Sequence, residues 1–241
     1  MKNYLARQIF RSFIYPFLFV VFIWLVFLLE HWSGRVFVNW GVLPRKPEGL
    51  PGIFTSVFIH GSLDHILSNT LPILILGGMV FYFYRKIAWP ALLWIWLSSG
   101  LWLWIGGRNH VDSPQYHIGA STLIYGLAGF LFFSGVFRRH LQLMVVSALV
   151  VFLYGSLVWG VFPLDPEISW EGHLFGLFAG IMVAFNYRKE GPQRKKYVWE
   201  NEEEEQDPEG GGAGENKDQR DIEIRFHYTP SKRKEDSDPQ V

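Results

Sequence analysis

The sequence predicts an all-α membrane protein, a bundle of about six transmembrane helices with a structured first external loop. Of the 241 residues, 49% are hydrophobic and 17% aromatic, which is not the composition of a soluble globular domain. Charge-free apolar runs of about 20 residues recur, and this length crosses the hydrocarbon core as a helix. Because Lys+Arg and Asp+Glu are 22 each, the net charge gives no support to a nucleic-acid partner. The absence of cysteine excludes disulfides and thiolate metal sites.

The apolar runs define the predicted membrane helices in order along the chain. The first, at about 12–29, leads directly into the charged sequence EHWSGR and has no small-residue cleavage site. We therefore expect a retained helix and not a signal peptide. The remaining five runs cover about residues 65–84, 87–107, 117–137, 141–164 and 169–187.

Basic residues close to the helix ends are frequent on one side of the membrane, the rich side, and infrequent on the other, the poor side. This asymmetry predicts the orientation of the protein in the membrane. The poor side carries Arg35, Arg45, Lys46 and Arg108. Both termini are therefore predicted to be cytoplasmic. We expect a multi-pass protein of a bacterial inner membrane. The basic residues of the rich side are Lys2, Arg7, Arg11, Arg85, Lys86, Arg138, Arg139, Arg188, Lys189, Arg194, Lys195 and Lys196.

Two segments outside the runs have distinct compositions. The first external loop, about 30–61, contains VNWGVLPRKPEGLPGIF, whose Trp, Pro and Gly predict a structured element at the membrane interface. Residues 191–241 contain an acidic run and a glycine run, which predict a charged, disordered cytoplasmic tail. Residues 1–190 then form the membrane domain. We interpret the acidic run as keeping the tail soluble, with recruitment of a cytoplasmic partner as the alternative.

Polar residues enter three of the predicted helices, all toward the external side. The second opens with HGSLDHILSN, the fourth contains GASTLIYGLAG, and the sixth contains EGHLFGLFAG. Polar groups within the membrane are costly and usually face the bundle interior or a water-filled cavity. Gly172, Gly176 and Gly180 repeat every fourth residue, a pattern that lets two helices approach closely. If the fourth and sixth helices pack through them, Ser121 and His173 come within hydrogen-bonding reach.

This combination of residues suits acyl transfer. A serine hydroxyl is a poor nucleophile unless a base takes its proton, and histidine is the side chain best suited to do so near neutral pH. His65 and Asn69, four residues apart on one helix face, could stabilise the oxyanion together with the Ser121 backbone N–H. Because no buried aspartate occurs at a comparable place, the sequence favours a dyad over a triad.

The same motifs resemble the rhomboid family of intramembrane serine proteases over most of residues 53–185. The resemblance implies that Ser121 is the nucleophile and His173 the general base, with His65 and Asn69 as oxyanion partners. The family cleaves transmembrane or near-membrane segments of other membrane proteins within the lipid bilayer. Neither a metal nor a cofactor is implied.

The resemblance also implies supporting roles around these residues. Tyr125 is expected to pack against the imidazole of His173, and His60 to be a structural histidine beneath the first external loop. Gly119 is the first residue of the G-x-S motif, and Gly176 belongs to the small-residue row. The chain departs from the family pattern in having Thr122 where glycine is usual. It also has PEGLPGIF where a Trp-Arg pair is common, and both departures bear on substrate selection.

Other interpretations stay open at this stage. A catalytically inactive rhomboid-like protein would use the same bundle to bind membrane clients. A transporter would explain polar residues in the bundle, but paired acidic residues and matched broken helices are absent from the sequence pattern. A catalytic zinc site is not supported, because the sequence contains no HExxH motif. Glu171 at the mouth of the sixth helix and His117 at the end of a run are both expected to be solvated.

Overall fold

The computed structural model describes residues 2–109, 114–141, 143–145, 148, 152, 159–165 and 168–191. Regular structure in that part of the chain is helical, and the extended backbone pairs there in one isolated antiparallel bridge, Val42 to His117. Half of the predicted helix at about 141–164 lies outside the described residues. Within the described half, 160–164 form turns and a bend, so the predicted helical end at 164 is wrong. The predicted tail from residue 192 onward lies outside the described residues.

The described helices follow the apolar runs. The Tyr4–Ser33 part of α1, together with α3 and α4, is long and apolar enough to cross a membrane, whereas α5 is a shorter apolar helix. Three short 3-10 helices at Val38–Trp40, Pro47–Gly49 and Ser56–Phe58 lie in the first loop. The α-helices whose bounds lie within the described residues are α1 Lys2–Ser33, α2 Gly52–Thr55, α3 Leu63–Phe83, α4 Ala88–Gly106, α5 Ser121–Phe137 and α6 Trp170–Asn186.

Two helix starts also differ from the sequence-based prediction. Helix α1 begins at Lys2 and not near residue 12, because neither glycine nor proline interrupts the residues before Pro16. Helix α5 begins at Ser121 and not near residue 117. His117 is extended because it pairs with Val42, and Gly119 has a φ of +105°, which a helical residue cannot adopt.

The first helix lies at the edge of the bundle, against α3. Its Pro16 and Phe13 occupy the space left by Gly77 and Gly78, and Trp24 Nε1 donates a hydrogen bond of 3.1 Å to Thr70 Oγ1. Only 22% of the most apolar window of α1 is buried. The remaining apolar side chains are exposed, as expected for a helix with hydrocarbon on most sides.

Helices α5 and α6 approach each other through the row of small residues. A methyl group added at Gly176 would lie 3.0 Å from the carbonyl carbon of Thr122. One added at Gly180 would lie 2.7 Å from the backbone nitrogen of Phe130. Both distances are shorter than ordinary carbon contacts, so the helix backbones touch where these glycines face α5.

The first loop is attached to the bundle by backbone groups. Val42 and His117 exchange two backbone hydrogen bonds of 2.9 and 2.8 Å. The Arg45 guanidinium donates to Gly107 O at 2.8 Å, and Trp104 Nε1 donates to Lys46 O at 2.9 Å. The loop therefore meets both the end of α4 and the residues that precede α5.

Candidate active site

Ser121 and His173 face each other at the N-terminal ends of α5 and α6. Ser121 is the first residue of α5, and its Oγ lies 2.8 Å from His173 Nε2. His173 is only 8% exposed. The close approach of the two helices brings this pair together, because His173 lies on the same helix face as Gly176.

The other ring nitrogen of His173 determines the direction of that hydrogen bond. Nδ1 lies 2.8 Å from the backbone carbonyl oxygen of Gly160. A carbonyl oxygen only accepts, so Nδ1 carries the hydrogen and Nε2 presents a lone pair. Ser121 Oγ–H therefore donates to His173 Nε2, and this is the direction in which a base removes the serine proton.

Tyr125 lies one turn after Ser121 and supports the imidazole from its face. The rings of Tyr125 and His173 are stacked with centroids 4.2 Å apart and planes 15° apart. Tyr125 is 5% exposed. Stacking against a buried ring limits rotation of the imidazole, so the orientation set by Gly160 is held from a second direction.

Two histidines lie against the backbone that leads into α5. His60 Nε2 accepts a long hydrogen bond of 3.4 Å from the Ala120 backbone N–H. The His60 and His65 rings meet edge to face with centroids 5.0 Å apart. At Gly119 an added methyl group would lie 2.6 Å from His65 Cε1, so only glycine leaves room for this ring. Burial lowers the pKa of His60 to about 3, with a further contribution from His65, and His60 is therefore neutral near pH 7.

Asn69 is buried on α3 and bonded within its own helix. Its Nδ2 donates to His65 O at 2.8 Å, and the residue is 3% exposed. Within the described part of the chain, its amide makes no hydrogen bond to Ser121. Since the amide nitrogen has two hydrogens and the helix carbonyl takes one, a second donor remains.

The first turn of α5 adds backbone donors at the same place. The N–H groups of Ser121, Thr122 and Leu123 donate to no carbonyl among the described residues. Unpaired N–H groups at a helix start form the positive end of its dipole and favour a negative charge nearby. These donors could stabilise a negative charge on the carbonyl oxygen of a group attacked by Ser121 Oγ.

A buried ion pair at the start of α6 was missed by the sequence analysis. Glu171 is 4% exposed, and its Oε1 lies 2.6 Å from Nε of Arg108. Arg108 also donates from Nη2 to Ile168 O at 2.8 Å. The expectation that Glu171 is solvated is wrong, because the residues after α4 cover the first turn of α6. Two features of the sequence could have indicated this pair: Glu171 lies two residues before His173, and Arg108 follows the end of another predicted helix.

The prediction that His117 is solvated is also wrong. It is 5% exposed, with Nε2 at 2.9 Å from Arg108 O and Nδ1 at 2.6 Å from Ser169 Oγ. The carbonyl requires a hydrogen on Nε2, so Nδ1 accepts from the serine. Burial lowers the pKa of His117, which keeps it neutral. Ser169 O accepts from the His173 N–H at 3.2 Å, so this network reaches the backbone of the candidate base.

Together, these features define a polytopic helical membrane protein with a serine–histidine pair at one end of two closely packed helices. The Rhomboid domain family model matches residues 47–190. An uncharacterized protein of Mycobacterium bovis is 37% identical over 73% of this chain and 75% of its own length. The rhomboid protease GlpG of Pectobacterium atrosepticum is 31% identical over 70% of this chain and 61% of its own length. GlpG of Klebsiella pneumoniae is 29% identical over the same shares.

The chain belongs to the rhomboid family, and it is an integral membrane protein. The match of residues 47–190 covers most of the described helices and both residues of the serine–histidine pair. The family resemblance inferred from the sequence motifs is confirmed.

Proposed function

We propose that this protein is an intramembrane serine endopeptidase that hydrolyses a peptide bond in or near transmembrane segments of membrane proteins. The observation that carries the proposal is the 2.8 Å hydrogen bond between Ser121 Oγ and the unprotonated Nε2 of His173. Family membership supports the same function, since relatives named rhomboid protease share about 30% identity with the chain.

Acylation begins when Ser121 Oγ attacks the carbonyl carbon of the scissile peptide bond. His173 Nε2 takes the hydroxyl proton, and the carbonyl oxygen becomes the oxyanion of a tetrahedral intermediate. We assign its stabilisation to the free N–H groups of the first α5 turn, with side-chain donors from His65 and Asn69. When the C–N bond breaks, His173 returns the proton to the leaving amine, and the acyl-enzyme remains on Ser121.

Deacylation requires a water molecule at the same place. The water attacks the ester carbon, His173 Nε2 takes one of its protons, and the second tetrahedral intermediate collapses. The Ser121 Oγ leaves and regains the proton from His173, which releases the new carboxyl terminus. Ser121 is half-buried, so this end of the bundle must stay open to water from the external side.

The imidazolium formed in each step has no carboxylate partner in this proposal. The Gly160 carbonyl takes the place that an aspartate occupies in a triad, because it accepts from Nδ1 and fixes the tautomer. Tyr125 holds the ring plane. Thr122 is accommodated by Gly172 and Gly176, so the departure from the usual glycine leaves the serine–histidine geometry in place.

We also propose the wider organisation predicted by the sequence. Residues 1–190 form a membrane domain of six spans, with the fifth from the apolar run at about 141–164, and residues 191–241 form a cytoplasmic tail. Arg7, Arg11 and Arg85 line one cavity, which supports placing the start of α1 and the end of α3 at the same membrane surface.

A fluorophosphonate probe tests the proposed chemistry, because it labels serine only when the hydroxyl is activated. We expect the purified, detergent-solubilised protein to be labelled, and Ser121→Ala and His173→Ala each to abolish labelling. Ser68→Ala is a matched control, since the Ser68 hydroxyl on α3 donates only to His65 O among the described residues. Absence of labelling in a folded wild-type protein would favour the alternative, an inactive rhomboid-like protein that binds membrane clients.

A further inference from the structure

A basic cavity lies at the end of the bundle opposite the candidate active site. It encloses about 460 Å³ between the start of α1 and the connection from α3 to α4. Three arginines line it, Arg7 and Arg11 from α1 and Arg85 from the connection, and none of its lining residues is acidic. The proposed hydrolysis of peptide bonds uses none of these residues.

The three guanidinium groups have no partner for their charge within the described part of the chain. The ion pair found there joins Arg108 to Glu171, and no hydrogen bond engages Arg7, Arg11 or Arg85 through its side chain. Arg7 and Arg11 are four residues apart, so they share a helix face on which like charges repel. An anion bound within the cavity would attract each guanidinium group and offset this repulsion.

The floor of the cavity is aromatic. Tyr15 lies 5.1 Å from Phe81 and 4.9 Å from Trp89, measured between ring centroids, and Phe81 lies 5.3 Å from Trp89. Tyr and Trp side chains favour the level of the lipid headgroups, where one end of the ring is apolar and the other is wet. The cavity thus combines an apolar floor with a rim of three exposed arginines.

We propose that this cavity binds the headgroup of an anionic phospholipid. Arginine forms paired hydrogen bonds with phosphate oxygens, and basic pockets between membrane helices suit acidic headgroups. The aromatic floor adjoins α1, whose apolar side chains are largely exposed, so acyl chains can continue from the cavity along that helix. A free phosphate ion would bind the arginines of the rim but would make no apolar contact with the aromatic floor.

Binding to the purified full-length protein in a neutral detergent tests the proposal without any activity measurement. Native mass spectrometry would compare dioleoyl phosphatidylglycerol with dioleoyl phosphatidylcholine. We expect preference for phosphatidylglycerol, and a loss of affinity of about fivefold for each arginine changed to glutamine. Combining Arg7→Gln, Arg11→Gln and Arg85→Gln should weaken binding by about a hundredfold.

Lys86→Gln is the matched control, because it removes one charge beside Arg85 from a residue that does not line the cavity. Wild-type affinity in the triple variant, or an equal loss in Lys86→Gln, would overturn the proposal. If the triple variant fails to fold, the single variant Arg85→Gln tests the proposal through its expected fivefold loss of affinity for phosphatidylglycerol.

Two further measurements test other occupants. Inorganic phosphate that raises Tm as much as phosphatidylglycerol does would overturn the lipid in favour of a free anion. The acidic run at 202–205 is another candidate occupant, and changing its four glutamates to glutamine tests it in the full chain. Phosphatidylglycerol binding that appears only in this variant would identify the run as the occupant and overturn the proposal. Equal binding in this variant and the wild type supports it.

Discussion

Substitution of Gly176 by alanine should separate the candidate nucleophile from its base. The added methyl group would meet the Thr122 carbonyl oxygen first, and it would lie 3.0 Å from the carbonyl carbon and 3.3 Å from Cα of that residue. Carbon atoms in ordinary contact are about 3.5–4.0 Å apart, so α6 must move away from α5 by at least about 0.5–1 Å. A backbone neighbour cannot rotate aside as a side chain would.

The movement would act directly on the hydrogen bond between Ser121 and His173. His173 lies three residues before Gly176 on the same helix face, so the 2.8 Å distance from Oγ to Nε2 lengthens as the helices separate. A displacement of about 1 Å at a reacting group can lower the rate about a hundredfold. We therefore expect Gly176→Ala to reduce the rate of fluorophosphonate labelling by about that factor.

The assay would measure labelling rate together with Tm, so that loss of reactivity is separated from loss of fold. Gly61→Ala is the control, because its methyl group would meet only Ile118 Cδ1 at 3.5 Å, an ordinary contact. Wild-type labelling by a folded Gly176→Ala protein would refute the argument that glycine packing positions the pair.

Three further predictions concern residues around the pair. Asn69→Ala should lower turnover about a hundredfold with little change in Tm, because we propose that its amide donates to the oxyanion. Equal losses of activity and stability would contradict this. Glu171→Gln should lower the free energy of unfolding by about 2 kcal/mol, since Arg108 keeps a partly buried charge, and Arg108→Gln in the same chain should restore part of it.

The third uses the lowered pKa of His60. Below pH 6.5 the unfolded chain takes up a proton that folded His60 resists until about pH 3, so stability should fall by up to about 1.4 kcal/mol per pH unit on acidification. His60→Gln should have a shallower slope in a denaturation series from pH 7 to pH 4, and an unchanged slope would contradict the assignment.

The helices and their close packing could be predicted because both depend on patterns local in sequence. Apolar runs mark the membrane helices, and the fourfold spacing of Gly172, Gly176 and Gly180 marks the face of α6 that meets α5. The pairing of Ser121 with His173 followed from that spacing. Their catalytic roles remain predictions.

The surroundings of the pair could not be predicted in the same way, because they depend on loops. Whether Glu171 is solvated or buried is decided by the path of the chain after α4, which brings Arg108 to it. His117 was assigned to a helix by its apolar neighbours, but its backbone pairs with Val42 from a distant loop. Such contacts between distant segments produce no periodic pattern in the sequence, so they could not be predicted from it.

The hydrogen bond from His173 to Gly160 has a consequence for mutagenesis of this protein. Its acceptor is a main-chain oxygen, which every amino acid at position 160 would retain, so a scan of side chains would pass over it. Only chemistry on the polypeptide itself, such as an ester in place of the amide between residues 160 and 161, would weaken that acceptor. Side-chain substitution therefore cannot remove the oxygen atom that fixes the tautomer of the candidate base. Substitutions in the loop can affect this hydrogen bond only by moving the backbone.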